Sequence, residues 1–345
     1  MSAVGPPQGA NHAPSEGAGL HTSAVLAIRP SSLGDIVHAL AIVADIRAHH
    51  PGLAIDWVAE EAFVPLVALD PGVRRIIPIG FRRWRHHLLS PSTWREWAAF
   101  RTDLRQERYV AVLDLQEQVK GALIAATARG TTHGPDRASI REPIATLAHD
   151  AHHAIDPRQH LIDRCRQLAG AALGHRVEGP PRYGFVPPTP AAALADSGPY
   201  VVCVHATSRA DKHWPHAHWR ELLSVFARAG YRMLLPWGSA DERARSEALA
   251  QGEPAATVLP RQSLPALAGL LARAELVVGV DTGLVHLAAA LGTPTIALFT
   301  ATDPALAGVE RASANARDLG NAGRTPSVAD VQAAAGALFR RAPRC

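Results

Sequence analysis

Ala24–His50 reads AVLAIRPSSLGDIVHALAIVADIRAHH, and the order of residue types within it decides the fold. Five apolar residues, Ala24–Ile28, make a buried strand. A small polar loop follows, with one glycine, Gly34, and one carboxylate, Asp35. Apolar residues then recur at helical spacing over 35–48, so the stretch reads as strand, tight turn and amphipathic helix. A carboxylate at such a turn either caps the helix, in the favourable field of its N-terminus, or faces a substrate. The residues alone leave both open. The loop has neither the G-x-G-x-x-G glycines of a dinucleotide site nor the Gly-Lys-Ser/Thr of a P-loop, which disfavours a dehydrogenase or a nucleoside triphosphatase.

The alternation continues outward. Strands are expected at 54–61, 73–80 and 109–116, with helices around 62–69 and 119–128 and a long basic helical region over 81–108. Each strand is nearly all apolar, the mark of a parallel sheet covered on both faces. Residues 176–198, the most Pro/Gly-rich interior stretch, interrupt the pattern. It restarts with strands at 200–206, 231–238, 256–260, 276–281 and 295–300, separated by helices at 215–229, 239–250, 264–273 and 283–292. The expected organisation is a disordered tail over 1–22, a Rossmann-like domain over 23–180, a linker over 181–198 and a second Rossmann-like domain over 199–325. A C-terminal helix over 326–345 is placed back against the first domain. Two doubly wound α/β domains so joined face a central cleft, with ligands at the carboxyl ends of their strands.

Composition narrows the function. With 345 residues, 47% hydrophobic and 19% charged, the chain can bury sizeable cores. Its formal charge of +4 suits an acidic ligand or an anionic membrane surface without calling for nucleic acid. No run of about 18 apolar residues and no signal-peptide pattern occurs. Cys165, Cys203 and Cys345 lack metal or disulfide spacing, so no metal site is expected and a reducing compartment fits.

Three regions carry chemistry. In HATSRADKHWP (205–215), Thr207, Ser208 and Lys212 set two hydroxyls and an ammonium before a helix N-terminus, a grouping that suits phosphate oxygens. A solvated surface loop is the plain alternative. In VVGVDTGLVHLAAALGTP (277–294) a strand ends at Asp281, Thr282 and Gly283 open a helix, and His286 lies one turn on. Amides at 282–284 can take a diphosphate, and Gly283 lets it come close; a histidine on such a helix is more often core when taken alone, but beside Asp281 and Thr282 the balance tips toward the site. Thr302 and Asp303 follow the next strand and would overhang the same cleft. Over 81–108, Arg82, Arg83, Arg85 and further arginines alternate with Trp84, Trp94 and Trp97. That is either a solvated helix, diluted by Glu96, Asp103 and Glu107, or a face for a negatively charged acceptor at a membrane surface. Lys120 and Arg141 can add to a basic acceptor pocket. No nucleic-acid module accompanies them.

Taken jointly, SSLGDIVHAL, DWVAEE, RRWR, VKGA, REP, HATSRADKHWP, LPWGSADE, VDTGLVHLAAALGTP and TDP resemble the bacterial lipopolysaccharide heptosyltransferases of glycosyltransferase family 9. DWVAEE, RRWR and DKHWP point to the type I members, and the likeness spans roughly 24–340. The resemblance implies the GT-B architecture and an inverting transfer that uses no metal or other cofactor. The implied donor is ADP-L-glycero-β-D-manno-heptose, and the acceptor is Kdo of Kdo2-lipid A at the cytoplasmic face of the inner membrane. It also implies Asp35 as general base, with Ser32 and Gly34 beside it on the acceptor side. Lys212 would neutralise the leaving diphosphate with Thr207 and Ser208, Asp281 would hold the heptose, and Thr282, Gly283 and His286 would meet the diphosphate. Glu242 would hold the adenosine ribose, while Arg82, Arg83, Arg85, Lys120 and Arg141 would receive the acceptor's anionic groups. The chain departs from the family pattern at Pro30, at Gln262 and in DLQEQVKG, where DxQGLxKS is expected. Rival readings are a type II enzyme acting on a heptosylated core and a nucleotide-sugar-binding module without turnover. A base opposite a cationic diphosphate cradle argues for turnover.

Overall fold

The computed structural model describes residues 23–87, 89–190 and 198–339. The expected disorder of 1–22, part of the linker and the end of the C-terminal segment lie outside the described residues.

Twelve strands form two sheets. β1 (Ala24–Ile28), β2 (Ala54–Glu60), β3 (Arg75–Ile79), β4 (Tyr109–Asp114), β5 (Gly130–Pro135) and β6 (Ala151–His153) lie in the order β3-β2-β1-β4-β5-β6. β7 (Tyr200–Val204), β8 (Arg232–Leu235), β9 (Ala256–Val258), β10 (Leu276–Val280), β11 (Thr295–Phe299) and β12 (Ala316–Gly320) lie in the order β12-β11-β10-β7-β8-β9. Counted from its own first strand, each sheet runs 3-2-1-4-5-6, with parallel pairing throughout. The chain therefore reverses direction once in each sheet, between β1 and β4 and between β7 and β10. The loops leaving those strands diverge and open a crevice, the usual ligand position in such sheets. They carry Arg29–Ser32 and Leu115–Gln118 in the first lobe, and His205–Lys212 and Asp281–Thr282 in the second.

The helix Leu33–His49 departs from the amphipathic expectation. Ile36, Val37, His38, Ala39, Leu40, Ala41, Ile42 and Val43 are all buried, so no polar face remains over these two turns. The reason is its position: it packs on the helix Leu161–Leu173 of its own lobe and on the helix Gly283–Ala290 of the other. A helix apolar all round is one covered all round. One apolar cluster consequently runs from Val25, Leu40 and Trp57 in the first lobe to Val202, Val285 and Phe299 in the second. The described part of the linker is docked as well. Val186 N–H donates to the Leu69 carbonyl (2.7 Å), and Tyr183 and Phe185 lie against the shared core.

Other elements differ from expectation. β5, β6, β12 and the helix Leu161–Leu173 have no counterpart in the sequence reading. β5 is GTTHGP and β6 is AHH, compositions that parallel strands rarely use and that a sheet margin tolerates. The helix Val328–Phe339 does not return to the first lobe. Its stripe of Val328, Val331, Ala335 and Leu338 is buried with Trp214, Trp219 and Phe226 of the second. The region 81–108 forms two helices, Phe81–Trp84 and Pro91–Leu104. Trp84 is buried edge-on to Trp97 (6.0 Å) and Phe100 (6.3 Å), which leaves Trp94 as the exposed tryptophan of the three.

Candidate active site

Asp35 occupies the third position of the helix Leu33–His49. Its Oδ2 accepts from Ser32 N–H and Ser32 Oγ–H, each at 2.9 Å, and its Oδ1 faces Arg29 Nη2 at 3.1 Å. The carboxylate therefore caps the helix and also opens on solvent, its side chain 36% exposed. Burial pushes the Asp35 carboxyl upward, but Arg29 and the Ser32 bonds outweigh it and hold it below its ordinary range. It lines a cavity of about 310 Å³ together with Ser31, Ser32, Lys120, Arg141 and, from the second lobe, Leu306. Lys120 Nζ donates to Ser31 Oγ at 2.8 Å. Burial and the neighbouring Arg29 lower its pKa against the pull of Glu60 and Asp35. At the same cavity, Glu117 is ion-paired with Arg164 and holds φ at 58°, a backbone conformation that favours glycine. The resemblance implies glycine at this position. Here the ion pair fixes the loop in its place.

Across the crevice, Asp281 gathers the second lobe's polar groups. Its Oδ2 accepts from Lys212 Nζ and from Thr302 Oγ1, each at 2.6 Å, and its Oδ1 from His286 Nε2 at 3.3 Å. Thr207 Oγ1 donates to the Asp281 carbonyl at 3.4 Å. Burial raises the Asp281 carboxyl, but His286, Lys212 and Thr302 overcome this and leave it well below the usual carboxylate range. Because the carboxylate only accepts, Nε2 of His286 carries a proton, and its Nδ1 meets His38 Nε2 of the first lobe at 3.2 Å. Burial, His286 and His160 push His38 well below its ordinary value, so it is neutral, and the two imidazoles share one hydrogen bond between the lobes. His38 thus joins the lobes at the site, and the sequence reading did not single it out.

A second cavity, of about 240 Å³, opens beside this cluster. Trp237, Glu242, Gln262, Leu264 and Thr282 line it, with Leu33 closing it from the first lobe. Glu242 Oε2 accepts from Gly238 N–H at 2.6 Å. The shape, with an indole wall, an acid and a helix start at Gly283, suits a nucleoside diphosphate.

The two cavities are divided where the helix starts at Gly34 and Gly283 touch. A Cβ on Gly283 would lie 2.7 Å from Leu33 Cβ and 2.9 Å from Gly34 N, and one on Gly34 would lie 2.8 Å from His286 Cδ2. Only glycine permits this approach. Gly283→Ala is expected to hold the lobes apart and cost about 10²-fold in turnover through misplacement alone. Steady-state rates with a thermal melt check this; an unfolded variant or unchanged kcat would count against it.

Of the expected residues, Ser32, Gly34, Asp35, Lys120 and Arg141 meet on the first-lobe side; across from them Thr207, Lys212 and His286 gather on Asp281, Gly283 makes the contact between lobes, and Glu242 and Thr282 line the adjoining cavity. Ser208 lies exposed in its loop, outside both cavity walls. Asp303 caps the helix Pro304–Ala307 through Ala305 N–H (2.9 Å). Arg82 neighbours Glu60 and Lys120 at the margin of the first cavity. Arg83 is held by Glu61 and Glu96, and Arg85 by His86; neither reaches the cavity walls. Of 35 basic Lys and Arg side chains only two are lysines, Lys120 and Lys212, and each stands on one side of this site.

Two lobes with the same strand order, a carboxylate on one side and a cationic helix-start cradle on the other, define a GT-B glycosyltransferase. The chain belongs to glycosyltransferase family 9 (heptosyltransferase), whose family model matches residues 97–334. It is 42% identical over 286 residues to lipopolysaccharide heptosyltransferase 1 of Escherichia coli K12, covering 82% of this chain and 90% of that one. Lipopolysaccharide heptosyltransferase 2 of the same organism is 26% identical over 81% of this chain and 83% of its own. The solved structure of E. coli heptosyltransferase WaaC with ADP superposes with a TM-score of 0.84 at 37% identity, covering 91% of this chain and 99% of that one. WaaC with ADP-2-deoxy-2-fluoro heptose gives 0.79 at 37% identity, covering 90% and 98%.

Proposed function

We propose that this heptosyltransferase moves L-glycero-D-manno-heptose from ADP-L-glycero-β-D-manno-heptose to a Kdo hydroxyl of Kdo2-lipid A, at the cytoplasmic face of the inner membrane. One observation carries the reading. A basic cavity bearing a carboxylate and a nucleoside-sized cavity meet across a single glycine contact, so an acceptor in one and a donor in the other can touch. Greater identity to the type 1 than to the type 2 relative, and the ADP-heptose analogue bound by WaaC, support the choice of substrates.

In this reading Asp35 accepts the proton of the Kdo hydroxyl as its oxygen attacks the anomeric carbon. The C–O bond to the diphosphate breaks on the opposite face, which inverts the centre. Asp35 is ionised throughout the physiological range. It is a weak base for the same reason, so proton transfer runs with bond formation and not ahead of it. The diphosphate leaves against Lys212 and the N–H groups of the helix start at Gly283, which meet the charge that develops. Asp281, held by His286 and Thr302, orients Lys212 and faces the heptose. Glu242 receives the ribose, and Lys120 and Arg141 receive the acceptor's carboxylates and phosphates.

The test is mass spectrometry of Kdo2-lipid A incubated with ADP-heptose and the enzyme, without added metal. One added heptose is expected. Product only on an already heptosylated core would make the enzyme type II.

A further inference from the structure

The helices Val119–Ala125 and Pro143–Ala148 pack side by side with an inverted pattern. Ala122, Ala145 and Ile140 fill the seam between them, while larger apolar side chains point outward. Val119 and Leu123, four residues apart on one helix, are 39% and 53% exposed. Ile144 and Leu147, three apart on the other, are 65% and 83% exposed. These spacings put each pair on one face of its helix. Val119 N–H donates to Glu142 Oε2 at 2.8 Å, which ties the two helix starts together. A cluster of exposed aliphatic side chains on neighbouring helices marks an interaction surface, where scattered single ones would not.

The surrounding charge indicates the partner. Glu142 is turned onto Val119 N–H, and Asp136 accepts from Ala138 and Ser139 N–H. Arg137 and Arg141 are exposed and have no ion-pair partner among the described residues. The patch is therefore apolar, with a margin that sets the unpaired Arg137 and Arg141 beside Asp136 and Glu142, whose carboxylates are turned onto backbone N–H groups. It also borders the mouth of the Asp35 cavity, because Gln118, Lys120 and Arg141 line that cavity and Leu306 stands across from them, 45% exposed. Among the described residues no helix is long and apolar enough to cross a membrane.

We propose that Val119, Leu123, Ile144 and Leu147 seat the first lobe on an anionic lipid bilayer, with Arg137 and Arg141 at the phosphate level and the Asp35 cavity opening toward the headgroups. The seat rests on the reading that the acceptor sugar is lipid-borne. A sugar held at a headgroup layer reaches Asp35 only if the cavity mouth faces that layer. Aliphatic burial and arginine–phosphate attraction add, as they do for interfacial helices.

Flotation with vesicles of phosphatidylethanolamine and phosphatidylglycerol tests it. The parent enzyme is expected to float with them, weakly with pure phosphatidylcholine, and to be released by salt. Ile144→Glu/Leu147→Glu is expected to float about tenfold less, since it sets two charges where two aliphatic side chains would be buried. Ile144→Ala/Leu147→Ala, which adds no charge, should show an intermediate loss. Transfer to a deacylated, water-soluble Kdo acceptor should be unchanged in both variants, while transfer to vesicle-embedded Kdo2-lipid A falls about tenfold. Equal flotation of parent and variants overturns the proposal, as does a parent that does not float. So does a parent dimer in sedimentation that the variants dissolve, because the face then belongs to a second copy. Flotation needs no sugar donor, so failure of transfer to both acceptors by the parent would sink the assigned reaction and leave the flotation result standing.

Discussion

Asp35→Asn is expected to give a folded protein that binds ADP-heptose as the parent does and transfers heptose about 10²–10⁴-fold more slowly. Asparagine is the informative change because Asp35 has two duties. Its Oδ2 satisfies Ser32 N–H and Oγ–H at the helix start, and its Oδ1 balances Arg29, whose side chain is 6% exposed. Alanine would remove the cap, at a cost of about 0.5–2 kcal/mol, and leave a buried guanidinium without its carboxylate. A slow alanine variant could then be merely unstable. Asn keeps an acceptor for Ser32 and loses the base; it also takes the counter-charge from Arg29, so a thermal melt is measured beside the rate. The donor cavity is lined on the far side of the Gly34–Gly283 contact, so donor affinity measured by calorimetry should stay within about twofold while the rate falls. Normal turnover with lost donor binding would overturn the assignment. The depressed Asp35 pKa also fixes a pH signature: the acid limb of kcat/KM lies below the ordinary carboxylate range. The same depression adds stability above an unfolded carboxylate pKa of roughly 4, and that stability is lost as pH falls through the lower folded value.

The sequence made the strand-turn-helix units legible because β1, β4, β7 and β10 are continuous apolar runs bounded by polar turns, and those four strands carry the site. What it hid was set by neighbours distant in the chain. Leu33–His49 reads as amphipathic until a second lobe covers its remaining side. Trp84 and Trp97 read as a surface belt until Phe100 packs under them. β5 and β6 form because a sheet already exists to receive them. Among candidate residues, loops at strand ends were readable by type and position, so Asp35, Lys212, Asp281 and Thr282 were expected at the crevice, where the structure places them. His38 was not, since a histidine within an apolar helix looks like core, and only His286 from 248 residues away gives it a partner. The outcome at Arg83 is the converse: a basic motif suggested a ligand, and Glu61 and Glu96 supplied the counter-charges.

Lys212→Ala should lower kcat/KM for ADP-heptose about 10²–10³-fold and weaken ADP binding as well. Two effects combine. The ammonium that meets the diphosphate before and during departure is lost. Asp281 also loses the cation at 2.6 Å that balances it, while His286 and Thr302 still hold its carboxylate. An anion pinned beside an incoming diphosphate repels it, so the loss exceeds the attraction removed. This coupling separates Lys212 from a surface lysine, whose removal changes binding by little. Lys212→Arg restores the charge and still should recover little of the rate. Lys212 and Asp281 side chains are only 17% and 12% exposed, and a planar guanidinium must displace Thr302 or His286 to keep the same contact. The chain meets nearly every other need for positive charge with arginine, so a lysine kept at this position reflects a demand for a compact, point-like cation. Calorimetry with ADP and steady-state kinetics with the sugar donor decide the matter. If Lys212→Arg matches the parent in both, size is irrelevant at this position, and if Lys212→Ala binds ADP unchanged, the ammonium does not face the diphosphate.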